Sequence, residues 1–172
     1  MDVQPGDLLL FRVTPGSTLL DKLIGWGQKR IHQAPTDAAY CHVAIVGPDA
    51  GSMYEAVAPK PHNIPIDWSK LTKRNTIDVF RVTGATPEQV AKVMAYCQKV
   101  VDAGTHYDWL AIATMGLVQL GRDCVCSQLA WQGWCDGDVI LCDWQDLESP
   151  DDVAASKKTT LVGTVIRELP PH

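Results

Sequence analysis

His42-Val43-Ala44-Ile45-Val46-Gly47-Pro48-Asp49-Ala50-Gly51-Ser52-Met53-Tyr54-Glu55-Ala56-Val57 is the stretch whose reading decides the fold. Two runs with strand composition flank a block of Gly, Pro and Asp, which is turn chemistry, so the stretch reads as a β-hairpin. A four-residue loop without a bulge places His42 and Glu55 on one face, because side chains alternate with period two. The two are then either directly opposite, with roughly 5 Å between Cβ atoms, or diagonal at about 7–8 Å. A loop one residue longer or shorter sends them to opposite faces.

Working outward, Asp7 to Val13 follows a Pro-Gly turn and reads as a buried strand. Ser17 is placed to cap a helix carrying Leu19, Leu20, Leu23 and Ile24 on one face. After the hairpin comes a loop with Pro59, Pro61 and Pro65, and then a strand over Ile77 to Val82. Thr86-Pro87-Glu88-Gln89 carries a capping box with proline at the first helical position. Val90, Val93, Met94, Cys97, Val100 and Val101 trace the apolar face of that helix, and Gly104 stops it. Asp108 to about Leu120 and Ser127 to Trp134 read as two more helices, and Thr160 to Leu169 as a last strand. No repeat or linker divides residues 1–172, so the expectation is one α+β domain with a mostly antiparallel sheet, or a small barrel, packed against helices.

Composition narrows the function. With 46% hydrophobic and 20% charged residues, the 172-residue chain resembles ordinary globular proteins. A net charge of -5 and the lack of a Lys/Arg cluster argue against a nucleic-acid partner, which needs a concentrated basic face. The start has no basic segment ahead of an apolar run, and the stretch Trp109 to Leu120 is too short for a transmembrane helix. A cytoplasmic protein with reduced thiols is therefore expected. The six cysteines do not have the spacing of a small secreted disulfide framework.

Chemistry centres on the hairpin and one thiol. His42 opens a strand, where it is either a satisfied strand-end residue or a base. Glu55 interrupts an apolar run, so it faces water or has a partner, since an unpaired buried carboxylate is costly. Cys126-Ser127-Gln128-Leu129-Ala130 reads as the start of an apolar helix. A thiol there feels the positive end of the helix dipole, and a neighbouring imidazolium lowers its pKa further. Cys97 falls on an apolar helix face and is expected in the core. Cys41 is locked beside His42, and Cys124 precedes the helix.

The ordered set Gly6-Asp7-Leu8-Leu9, His42-Val43-Ala44-Ile45-Val46, Tyr54-Glu55-Ala56, Tyr107-Asp108 and Cys126-Ser127-Gln128-Leu129 resembles the circularly permuted papain-like cysteine hydrolases. These are relatives of NlpC-type cell-wall peptidases and of lecithin–retinol acyltransferase. Ser149-Pro150-Asp151-Asp152-Val153 is similar to a helix start late in that family. The resemblance implies Cys126 as nucleophile, His42 as base and Glu55 as third member, with the Tyr107 hydroxyl assisting an oxyanion hole. It implies cleavage of a peptide, amide or acyl-ester substrate without a cofactor, an amide or peptide bond being favoured and a lipid- or ester-directed acyl transfer the close second. Trp131, Tyr40 and Cys41 are weaker candidates for a substrate groove. Two positions depart from the family pattern: Cys41 replaces a small or hydroxyl residue before the histidine, and Gln128 stands where an acidic residue is common.

Two other readings compete with an enzyme. Cys124, Cys126, Cys135 and the Cys41-His42 pair are potential zinc ligands, although no Cys-x-x-Cys pair occurs. A catalytically silent relative used for binding is the other. The complete Cys-His-Glu set argues against that, because nothing obvious has been lost.

Overall fold

A computed structural model of the chain describes residues 2–15, 17, 40–73, 75–107, 124–142 and 149–166. Within them the strands are β1 (Leu8–Arg12), β2 (Tyr40–Val46), β3 (Ser52–Glu55), β4 (His62–Pro65), β5 (Thr76–Val82) and β6 (Thr159–Val165). The helices are α1 (Trp68–Leu71), α2 (Pro87–Asp102), α3 (Cys126–Asp136) and α4 (Pro150–Ala155). The strands form one antiparallel sheet in the order β4-β3-β2-β1-β5-β6, with helices packed against it. This is the expected α+β class.

β1 lies inside the sheet between β2 and β5, and Leu8, Leu9 and Leu10 are all fully buried. A continuous apolar run of this kind needs cover on both faces. Leu8 and Leu10 join one cluster with Val43, Ile45 and Tyr54, closed by Val93 and Cys97 of α2 and by Leu129, Ala130 and Trp134 of α3. Leu9 and Phe11 join a second, with Ala44, Val46, Met53, Ile77 and Val79, against which Trp68 and Leu71 of α1 pack. Before β1, the Asp7 N–H donates to the Gln4 carbonyl (3.0 Å), and Gly6 takes φ +86°. Proline second and glycine third is what a type II turn requires.

The capping box at Thr86 forms as its spacing predicts: Thr86 Oγ1 accepts from the Gln89 N–H at 3.3 Å, and Gln89 Oε1 accepts from the Thr86 N–H at 2.9 Å. Ser149 and Asp152 cap α4 in the same reciprocal way.

Two elements depart from the sequence expectation. The Pro-rich stretch contains strand β4, paired with β3 through Glu55↔His62 and Met53↔Ile64. Proline obscured it, but β4 is an edge strand, where a missing N–H costs no ladder bond. The short helix α1 follows, with Asp67 as its capping residue. The expected helices after Ser17 and over 108–120 lie outside the described residues, as does the end of the expected last strand. Among the described residues, no helix is long and apolar enough to cross a membrane.

One buried polar group ties the sheet together. Asp78 on β5 has no exposed surface. Its carboxylate accepts from Arg12 Nε (2.5 Å) on β1, the Tyr40 hydroxyl (2.5 Å) on β2 and Thr164 Oγ1 (2.6 Å) on β6. A buried carboxylate satisfied by partners on three strands fixes their relative placement.

Candidate active site

The hairpin forms with the loop length on which the sequence reading depended. The Gly47 N–H donates to the Ser52 carbonyl at 2.7 Å, closing a four-residue loop over positions 48–51. Asp49 Oδ1 stabilises it by accepting from the Gly51 and Ser52 N–H groups and the Ser52 hydroxyl. The strands then pair Ala44↔Glu55 and Ile45↔Tyr54. His42 lies two residues from Ala44 on the same strand, so it is the diagonal neighbour of Glu55 on one face. His42 Nε2 meets Glu55 Oε2 at 2.9 Å.

A bulge precedes the histidine. β1 pairs Phe11↔His42 and then Arg12↔Tyr40, which leaves Cys41 as an extra residue on β2. Regular alternation would put Tyr40 on the His42 face. The inserted residue instead returns Tyr40 to the cluster beneath α3 and to Asp78, whereas Cys41 packs into the opposite cluster. The Tyr40 N–H is taken by Asp151 Oδ1 of α4 at 3.0 Å. Bulges of this kind re-aim side chains beside active sites. Here the re-aimed strand carries the histidine, whose ring lies 5.1 Å from that of Phe11.

Cys126 is the first residue of α3, and its sulfur hydrogen-bonds to the His42 ring and to the N–H groups of Val43 and Ser127. An ionised carboxylate only accepts, so the His42 Nε2 that meets Glu55 carries a proton. Nδ1 is then the ring nitrogen left for the thiol. Gln128 Oε1 accepts from the Val125 N–H at 3.1 Å, one half of a capping box on α3. A glutamine does this without adding a negative charge beside the sulfur, which is the physical content of the departure noted at this position.

The electrostatics follow from this arrangement. Burial alone pushes the Cys126 thiol up, but the His42 charge and the hydrogen bonds to sulfur outweigh it and hold the thiol below its ordinary value. Burial likewise pulls His42 down, yet the adjacent Cys126 sulfur and Glu55 carboxylate raise it to about 10. Burial pushes Glu55 up, and the bonds to His42 and His62 reverse that, so its carboxyl lies below the usual value. Each partner's charge thus favours the charged form of the other, thiolate with imidazolium. Cys97, buried among apolar side chains without such a partner, is instead pushed up to about 12. Iodoacetamide near pH 6 is therefore expected to label Cys126 and leave Cys97 unmodified in the folded protein. Peptide mapping checks this, and equal labelling of several thiols would remove the basis for an activated pair.

Other expected site residues sit differently. Trp131, Tyr40 and Cys41 are 6%, 3% and 3% exposed, about as buried as Cys126 at 6%. The Trp131 indole N–H donates to the Cys142 carbonyl, and Cys41 Sγ donates to the Phe11 carbonyl. Tyr40 and Trp131 pack in the cluster beneath α3, and Cys41 in the opposite one. Tyr107 forms a parallel bridge with Cys124, which sets its backbone alongside the segment leading into α3, and its side chain packs on the cluster containing Cys126. None of the six cysteines is in a disulfide.

Sequence reasoning missed His62. It falls inside the Pro-rich stretch that reads as a loop, yet β4 places it opposite Glu55, with Nε2 at 3.1 Å from Glu55 Oε1. The available signal was the alternation of His62, Ile64 and Ile66 across the prolines.

No protein-family model matches the sequence, and no curated protein matches it significantly. Among solved structures, the chain is similar to the crystal structure of metalloprotein yiiX from Escherichia coli O157:H7, a DUF1105 protein. The TM-score is 0.69 at 17% identity, covering 97% of this chain and 100% of that one. At that identity the likeness shows a shared fold. Among the described residues, no group of three or more His, Cys, Asp or Glu side chains could hold a metal ion. Cys41, Cys124 and Cys135 are all described residues and form no such group with His42 and Cys126.

Proposed function

We propose that this chain is a cysteine hydrolase of the circularly permuted papain-like class, acting on an amide or peptide bond through an acyl-enzyme. The observation that carries the reading is the continuous chain from sulfur to carboxylate: Cys126 at a helix start, hydrogen-bonded to His42, whose other nitrogen is held by Glu55 at 2.9 Å. Nucleophile, base and orienting group stand within bonding reach of one another, which is the geometry that covalent acyl transfer needs. The order of the residues, histidine before cysteine, fits the permuted branch.

In this mechanism the Cys126 thiolate attacks the carbonyl carbon and forms a C–S bond, moving the carbonyl π electrons onto oxygen. N–H groups at the start of α3 stabilise that oxyanion, with the Tyr107 hydroxyl as the further donor that the family resemblance suggests. The tetrahedral species collapses as His42 Nδ1 gives its proton to the leaving amine and the C–N bond breaks. The neutral imidazole then takes a proton from water, whose oxygen attacks the thioester. The C–S bond breaks, an acid leaves, and the thiolate–imidazolium pair is restored. Glu55 stays ionised throughout, fixing the tautomer and stabilising the imidazolium.

The test is covalent. Peptide, ester and thioester substrates are mixed with the protein, quenched within the first turnover and analysed by mass spectrometry. An acyl adduct on the Cys126 peptide, absent in His42→Ala, is the expected outcome. Turnover that persists in Cys126→Ala would overturn the reading.

A further inference from the structure

We infer that His62, on the edge strand β4, is a positioning residue that clamps the free oxygen of Glu55 and so holds the carboxylate in line with His42. The inference rests on the proposed Cys126–His42 pair and deepens it.

A carboxylate that touches its histidine through one oxygen remains free to turn, because the terminal torsion of glutamate is broad and roughly two-fold. Glu55 is not left in that condition. Oε2 meets His42 Nε2 at 2.9 Å and Oε1 meets His62 Nε2 at 3.1 Å, so each oxygen has its own imidazole. The strand register puts them there: Glu55 pairs with Ala44 on one side, which makes His42 diagonal, and with His62 directly on the other. As with His42, the nitrogen facing an ionised carboxylate must carry the proton, so His62 Nε2 donates.

β4 supplies the rigidity. Ile64, two residues on and on the same face as His62, packs into the cluster of Leu9, Met53 and Val79, which holds this edge strand against the sheet. Exposure follows the same order: the Glu55 side chain is 12% exposed, whereas that of His62 is 34% exposed. His62 is thus the more exposed of the two, and supplies one oriented donor where water would offer several mobile ones. Locking a carboxylate through its second oxygen is how an outer group sharpens the aim of a catalytic imidazole.

The experiment measures the rate of Cys126 alkylation by iodoacetamide from about pH 5 to 9 in the wild type, His62→Ala and His62→Gln, with thermal melts as a control. Near pH 6, His62→Ala is expected to react on the order of 3- to 10-fold more slowly, the scale of a charge-assisted hydrogen bond discounted for partial exposure. Its acid limb is expected to move to higher pH. His62→Gln, whose amide N–H can donate to the same oxygen, is expected to return to about the wild-type rate. If His62→Ala does not fold, the strand-forming His62→Val takes its place against His62→Gln. A wild-type rate in His62→Ala, or equal slowing in both variants, overturns the clamp. Absence of selective Cys126 labelling in the wild type itself would instead overturn the underlying pair.

Discussion

Replacing Cys126 with serine is expected to lower acyl hydrolysis by on the order of 10⁴-fold or more while leaving the fold nearly as stable, within about 1 kcal/mol. The two side chains are close in size, and a serine hydroxyl can still donate to His42, so no buried group is orphaned. The loss is electronic. The thiol is held below its ordinary value because the His42 charge and two N–H groups outweigh the burial penalty. A hydroxyl starts so much higher that the same surroundings leave it neutral, and the imidazolium loses the anion that raised it. Steady-state hydrolysis together with a thermal melt separates the two effects, and a serine variant that retains most of the activity would refute Cys126 as the nucleophile. The wild-type pH profile should show the matching sign. Activity rises as pH climbs through a thiol value lower than the usual 9.0, and falls as His42 loses its proton near 10. The acid limb reflects formation of the nucleophile, and the alkaline limb the loss of the proton owed to the leaving group.

The second large effect lies away from the thiol. Asp78→Ala is expected to destabilise the protein by about 3 kcal/mol, with Asp78→Asn costing roughly half as much. Alanine leaves the buried Tyr40 hydroxyl without its acceptor and removes the anion from Arg12 and Thr164. The estimate sits at the low end for a broken buried pair because the Arg12 side chain is 38% exposed and regains water. Urea unfolding reads the shift directly, and a change under about 1 kcal/mol would show that the network is dispensable. Cys126 labelling is expected to slow in the same variant, because Tyr40 anchors the bulge from which His42 projects.

How much of this was legible depends on whether a feature is written in consecutive residues. The hairpin was readable because turn residues fix loop length and loop length fixes parity, which is all the His42–Glu55 face assignment needs. The α2 cap was readable because Thr86 and Gln89 act on each other's backbone. The bulge at Cys41 was not, since Tyr40-Cys41-His42-Val43 looks like an uninterrupted strand and the irregularity exists only relative to β1. The Asp78 network was hidden for a similar reason: its partners come from three strands whose adjacency is a property of the sheet order. His62 fell between these cases, visible as an alternation but masked by the flanking prolines.

The sheet order also has a temporal consequence. β1 pairs with β2 and β5, while thiol and imidazole are contributed by positions 126 and 42 of the chain. Helix α2 and the 42–55 hairpin need only neighbouring residues to form, but the ion pair needs a long loop closed first, and such closures come late because their entropy is spent before any contact rewards it. A chain emerging from synthesis therefore carries His42 long before Cys126. Under the proposed mechanism, an electrophile meets an activated sulfur only on molecules whose assembly is finished.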